Sequence, residues 1–164
     1  SDVVGCIQLA QQLGLSINEI SLGINQMKPI EHRLQPIYNR HTKILVIDDS
    51  YNGNPQGVEE AIKVLGRFNQ QRRIYITPGL VEGGSETAEI HYNIGKQLAP
   101  IAGLVILIRN SVTPYIEKGL TENGYDSEKI MWFDSAKDAH KELPKIVHEY
   151  DVVMFQNDWP DNYY

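Results

Sequence analysis

Apolar residues fall along this chain in two alternating rhythms. Ile44 to Ile47, Ile74-Tyr75-Ile76, Leu104 to Ile108, Lys129 to Phe133 and Asp151 to Phe155 are short, nearly continuous apolar runs. Runs of that length predict strands covered on both faces. Between them the spacing changes to three and four, as in Val58, Ala61, Ile62, Leu65 and Phe68, in Ile90, Ile94 and Leu98, and in Val112, Tyr115, Ile116 and Leu120. Each set is one apolar helical face. Asn54-Pro55 suits the start of the first of these helices, Ser85 the second and Asn110 or Ser111 the third, which ends at Asn123-Gly124. A fourth helix runs from Ser135-Ala136 to about Leu143, where Pro144 is expected to kink or break it. The alternation predicts an α/β domain from about residue 35 to 158, a doubly wound, mostly parallel sheet with helices on both faces. Leu34 to Tyr38 and Lys43 to Ile47 are expected to feed it as a hairpin.

A short helical pair precedes the sheet. Val3, Val4, Cys6, Ile7, Leu9, Ala10 and Leu13 form a wide apolar face ending at Gly14, with Cys6 expected as a small hydrophobe upon it. Ser16-Ile17-Asn18-Glu19 then fits a capping box that opens a helix from Ile17 to about Gln26, closed by Pro29. Two such helices bury too little surface to fold alone and must lean on a neighbour. The chain enters this pattern directly from Ser1, and we expect it to begin within a longer protein.

Composition narrows the classes. Apolar residues at 41% and charged residues at 22% are ordinary for a globular domain, and 164 residues suffice for one good core. A net charge of −6 argues against nucleic acid or an anionic membrane surface as the partner. One cysteine, Cys6, excludes an internal disulfide and a cysteine-cluster metal site. With no bilayer-length apolar run and no signal-peptide pattern, a cytoplasmic location is the default expectation.

Candidate chemistry concentrates after the first buried run, where Asp48, Asp49, Tyr51 and Asn52 fall at the carboxyl edge of the sheet. Ligands bind at that edge in open α/β sheets. The chain holds neither G-x-G-x-x-G after this strand nor G-x-x-x-x-G-K-[ST], so no loop offers the usual phosphate cradle. A carboxylate suits sugar hydroxyls or a hydrated cation instead. The plainer alternative, that the two aspartates only end a strand and solvate a turn, stays open at this point. The same holds for Arg33, which is either a solvated linker charge or a fork for phosphate oxygens, and for the Gly79 to Gly84 loop and His91 beyond it.

The run Ile47-Asp48-Asp49-Ser50-Tyr51-Asn52-Gly53-Asn54-Pro55 resembles the D-D-S-Y-N-x-N-P signature that opens the C-terminal domain of the Mur ligases. Four further features fall in that family's order. They are the helical pair before a linker, His32-Arg33-Leu34 in the linker, the Gly79 to Gly84 loop, and His91 with Gly95 in the next helix. The resemblance covers essentially the whole chain. It implies that residues 1–34 are the last helices of a central ATPase domain plus a linker, and that residues 35–164 are a Rossmann-like C-terminal ligase domain. It implies Arg33, Asp49, Tyr51, Asn52 and Asn54 as nucleotide-binding residues, and Gly79, Glu82 and His91 as residues facing the incoming substrate. ATP and Mg are the implied cofactors, bound mainly by the central domain, with no catalytic residue and no metal ligand in this stretch. Two places depart from the family: Pro78-Gly79-Leu80 stands where G-D-M-x-E-L-G is usual, and Gln156-Asn157-Asp158 stands where K-G-S is usual.

Within the family the likeness is greatest to enzymes that join D-alanyl-D-alanine to UDP-N-acetylmuramoyl-tripeptide in peptidoglycan synthesis, through an acyl phosphate attacked by the dipeptide amine. The role implied here is a lid that completes the site and excludes water, inactive by itself. The alternative is a non-catalytic module that binds a nucleotide or a protein partner. A dinucleotide oxidoreductase is disfavoured by the missing glycine fingerprint.

Overall fold

The computed structural model describes residues 2–28, 30–51, 53–80 and 84–157. Two helices, α1 (Asp2–Gln12) and α2 (Ile17–Gln26), come first. Gly14 takes a left-handed φ of 86° between them, and Ser16 and Glu19 form the expected capping box. The apolar face of the pair is uncovered. Ile20 is buried, but Leu9, Leu13, Ile17, Leu22 and Met27 are each more than half exposed. Cys6 is exposed too, on a face that nothing covers.

Six strands follow: β1 (Gln35–Asn39), β2 (Ile44–Asp49), β3 (Arg73–Thr77), β4 (Leu104–Ile108), β5 (Ile130–Phe133) and β6 (Val152–Gln156). They lie in the order β1-β2-β6-β3-β4-β5. β1 and β2 make the expected antiparallel hairpin, and every other pairing is parallel. The helices are α3 (Pro55–Gly66), α4 (Thr87–Leu98), α5 (Thr113–Thr121) and α6 (Ala136–Ile146).

The preference for right-handed crossovers accounts for the layers. Helices α3, α4 and α5 carry the chain in one direction across the sheet and share one face, where Val58, Ile62, Leu65, Leu98, Ile116 and Leu120 meet Tyr75, Val105, Leu107 and Met154. Helix α6 leads back to the middle and lies on the other face, with Ala139 and Leu143 against Ile74, Ile76, Ile106 and Val153. Alternate residues of each central strand serve the two cores, as the period of two requires. The returning chain places β6 between β2 and β3. Helices α4 and α5 approach so closely that a Cβ on Gly95 would overlap the Ile116 carbonyl oxygen, and one on Gly119 the Tyr92 carbonyl oxygen.

Four details differ from the sequence expectations. Ile44, Leu45 and Val46 are half-buried rather than covered on both faces, and for Ile44 and Val46 the cause is a groove that separates β2 from α6. Helix α6 continues through Pro144 to Ile146, since a proline in the last turn forfeits one intrahelical bond while Val147 N–H still donates to Leu143 O. Ser85 lies inside a 3₁₀ turn, Gly84–Glu86, and caps nothing; α4 starts at Thr87 without a side-chain cap. On α5, Tyr115 is exposed and the buried face is Thr113, Ile116, Gly119 and Leu120. Asn52, Glu82, Pro29 and the tail from Asp158 onward lie outside the described residues. Among the described residues, no helix is long and apolar enough to cross a membrane.

Candidate functional site

Three turns meet at the carboxyl edge, and the linker folds back over the first of them. β2 ends in Asp48-Asp49, whose side chains leave opposite faces of the strand. Asp48 accepts a hydrogen bond from His32 Nδ1 at 2.8 Å and one from Ser50 N–H at 3.0 Å. Burial pushes its carboxyl up, but the hydrogen bonds of Ser50 and His32 outweigh burial and hold it below the ordinary aspartate value.

Asp49 is buried, and its Oδ1 accepts from Leu34 N–H at 3.0 Å. Here burial prevails. It raises the Asp49 carboxyl above its ordinary value against the opposing pull of Leu34 N–H, the Gln156 amide and the Arg33 guanidinium. The linker is pinned a third time by Tyr51 N–H donating to His32 O at 3.2 Å, and both His32 and Leu34 have positive φ, 59° and 45°. Arg33 lies over the exposed Tyr51 ring, 4.7 Å from its centroid. The structure therefore brings Arg33, Asp49 and Tyr51 together. Asn54 sits at the N-cap of α3, where its Oδ1 accepts from Gly57 N–H at 2.7 Å and Pro55 follows in the first turn, as its sequence position predicts.

The second turn follows β3. Gly79 has φ 82°, and a Cβ there would come within 2.7 Å of Val112 and 2.8 Å of His91 Nε2, so only glycine fits. His91 is fully buried. Its Nε2 accepts from Leu80 N–H at 2.8 Å and its Nδ1 lies 2.6 Å from Thr87 O, which assigns the proton to Nδ1. With both nitrogens engaged by backbone groups, His91 supports the Gly79-Leu80 turn from beneath. The third turn follows β4. Asn110 Oδ1 caps Val112 and Thr113 N–H at 2.9 and 3.0 Å, and Asn110 Nδ2 donates to Pro78 O.

Two residues of this edge escaped the sequence reading. Gln156 and Asn157 close β6, which lies between β2 and β3, and each is 1% exposed. Tyr75 Oη, buried, donates to Gln156 Oε1 at 3.3 Å. That contact turns the Gln156 amide nitrogen toward Asp49, which it helps to keep charged without completing a full hydrogen bond. Burial, and then the Asp49 charge, push the Tyr75 hydroxyl well above its ordinary pKa, so it remains a donor. Asn157 donates its backbone N–H to Asp49 O and its Nδ2 to Gly79 O, and its Oδ1 accepts from Gly53 N–H. The one sequence signal was the loss of K-G-S at this point, which has meaning only once β6 is known to be central.

Chemically, the edge offers a buried carboxylate, a guanidinium and an aromatic ring beside one another. Groups of this kind are able to accept from hydroxyls, pair with an anion and stack on a planar ring, and the incompletely paired Gln156 amide lies beside Asp49. Among the described residues no group of three or more His, Cys, Asp or Glu side chains could hold a metal ion.

Residues 32–156 match the family described as Mur ligase, glutamate ligase domain. The chain is 27% identical over 104 residues to UDP-N-acetylmuramoyl-tripeptide:D-alanyl-D-alanine ligase of Escherichia coli (strain K12), a stretch of 63% of this chain and 22% of that protein. It is 36% identical over 61 residues to UDP-N-acetylmuramoylalanine:D-glutamate ligase of Desulfitobacterium hafniense, covering 37% of this chain and 13% of that one. In fold it resembles MurF ligase from Thermotoga maritima in complex with ADP, with a TM-score of 0.72 at 22% identity over 93% of this chain and 33% of that one. UDP-N-acetylmuramate-alanine ligase MurC from the same organism gives a TM-score of 0.71 at 19% identity, over 98% of this chain and 34% of the other. The chain thus spans between 13% and 34% of the length of these four proteins. Since the family match takes in the whole sheet and all three turns of its carboxyl edge, this chain belongs to the Mur ligase family through its glutamate ligase domain.

Proposed function

We propose that this chain is the closing domain of a longer ATP-dependent amide ligase that adds D-alanyl-D-alanine to UDP-N-acetylmuramoyl-tripeptide in peptidoglycan synthesis. The observation that carries the reading is the convergence of Arg33, Asp49 and Tyr51 under a linker pinned to the same turn. In this reading Asp49 accepts from the ribose hydroxyls, Arg33 meets phosphate, Tyr51 with Asn52 lies toward the base, and Asn54 fixes the turn by capping α3. Gly79, Glu82 and His91 shape the loop on the side of the incoming amine. ATP supplies the phosphoryl group that activates the carboxyl, with Mg bound mainly by a preceding domain. The chain's own contribution is to position and to exclude water, which matters because an activated acyl group hydrolyses.

Residues 1–34 fit the end of that preceding ATPase domain with its linker, and residues 35–164 the closing domain. The uncovered apolar face of α1 and α2 supports this division, since such a face belongs against a neighbour. A cytoplasmic enzyme fits these nucleotide-linked substrates. The test is phosphate release by the full-length parent, dependent on ATP, D-alanyl-D-alanine and the UDP-linked tripeptide together, beside this chain alone. Turnover by the parent and none by the chain is the expected result. A second reading, a module that binds nucleotide without turnover, draws on Gln156-Asn157-Asp158 replacing K-G-S; it predicts nucleotide binding with no phosphate release by the parent.

A further inference from the structure

The turns after β2 and β3 are joined by a single side chain. Asn157 Oδ1 accepts from Gly53 N–H at 3.1 Å on the β2 side, while its Nδ2 donates to Gly79 O at 2.6 Å on the β3 side. Its backbone N–H donates to Asp49 O at 3.0 Å, so the residue is anchored to the strand end that carries the candidate nucleotide carboxylate. Serving both arms takes a short side chain with an acceptor and a donor on one planar group, which is asparagine's amide. The backbone at Asn157 has φ 55°, a left-handed conformation that asparagine tolerates better than other residues with a Cβ. Gly79 cannot move independently of what lies behind it, because Leu80 N–H is held by His91 and Pro78 O by Asn110. A displacement of Gly53 or Asp49 therefore reaches Gly79 through hydrogen bonds of 2.6 to 3.1 Å that all converge on Asn157.

We propose that Asn157 is a positioning residue that couples the nucleotide turn to the Gly79-Leu80 turn after β3, so that filling the first fixes the position of the second. The inference rests on the nucleotide reading above. Ligand arrival at Asp49 and Gly53 fixes the Asn157 amide, and the fixed amide holds Gly79 and Leu80 in the geometry an incoming amine would meet.

The test is amide hydrogen exchange at Gly53 and Leu80 in the full-length parent, with and without ADP. In the wild type ADP slows exchange at both, by about tenfold for a coupling of ordinary size. Asn157→Asp keeps the oxygen that Gly53 N–H needs and loses the donor to Gly79 O, so ADP should slow Gly53 and leave Leu80 unchanged. Should the added buried charge prevent folding, Asn157→Gly accepts the same φ and removes both arms, and the ADP effect at Leu80 should again vanish while His91 remains. A purely structural role would speed exchange in the variants without altering the ADP-dependent difference at Leu80. Persistence of that difference in either variant overturns the proposal. Protection of Gly53 without Leu80 in the wild type overturns the coupling alone, and no protection at either overturns the coupling together with the nucleotide reading.

Discussion

Asp48 and Asp49 are adjacent at the end of β2 and are shifted in opposite directions, Asp48 below and Asp49 above the ordinary aspartate value. Strand geometry is the cause. One carboxylate leaves on the face where His32 and Ser50 donate to it, and the other on the face where burial dominates. The two therefore load the fold with opposite pH dependence.

For Asp49 the folded state binds its proton more tightly than the unfolded state, so its ionised form costs stability above the folded pKa. Asp49→Asn should raise the melting temperature at pH 7, with roughly 2–4 °C for every 1 kcal/mol relieved in a chain of this size. The gain should shrink as pH falls through the raised pKa. Melting curves from pH 7 to pH 4 check this, and a gain that grows toward acid would contradict it.

Asp48 should behave in the reverse sense. Its depressed pKa contributes stability that is present above the unfolded value and lost as pH falls through the folded one. Asp48→Asn is expected to cost about 1 kcal/mol at neutral pH, the net worth of a typical intramolecular hydrogen bond, since the variant keeps an acceptor and loses the charge. Denaturant titrations should show that cost fading below the unfolded aspartate value.

Stability and function should part at Asp49. In the full-length parent, Asp49→Ala should raise the Michaelis constant for ATP severalfold, since the variant that relieves burial also removes the acceptor for ribose. Steady-state kinetics with ATP varied settle the matter; an unchanged constant would remove Asp49 from the nucleotide site.

Gly95→Ala should be among the most damaging small substitutions in the chain. The added methyl would meet the Ile116 carbonyl where α4 and α5 cross, and backbone has no rotamer by which to withdraw. A loss of about 3 kcal/mol, the upper range for overpacking, is expected in urea unfolding. Gly124→Ala, whose Cβ meets nothing but whose φ is 81°, offers the contrast of strain without a clash.

The uncovered helical pair should make this chain self-associate when it is isolated. Leu9 on α1, Leu22 on α2, and Leu13 and Met27 just beyond the two helices are all exposed apolar side chains. Sedimentation over a range of concentrations should show a rising average mass, reduced by Leu9→Lys with Leu22→Lys. A monomer at every concentration would show that the face needs no partner.

Local rules carried the sequence reading far. The capping box at Ser16, the cap at Asn54, the hairpin before β2 and each central strand follow from spacing and turn chemistry, and all are present. Burial was less legible. Nothing local distinguishes Ile44 and Val46, beside an open groove, from Ile74 and Ile76 under α6. The role of His91 was hidden for a related reason, because its partners Leu80 and Thr87 are loop and helix backbone groups whose positions depend on the packed turn. Strand order was not legible at all. Gln156 and Asn157 became site residues only when β6 proved to lie between β2 and β3, a fact of topology that no periodicity encodes.

The placement of β6 also sets the order in which the protein can assemble. Among the described residues the hairpin of β1 and β2 pairs with the rest of the sheet only through β6, the last of the six strands to be synthesised. Until it emerges, β2 and β3 each expose an unpaired edge, and the carboxylate turn has no attachment to the loop across from it. The cooperative core is thus deferred until β6 has been made, with the long-range closures that slow folding concentrated in that one event.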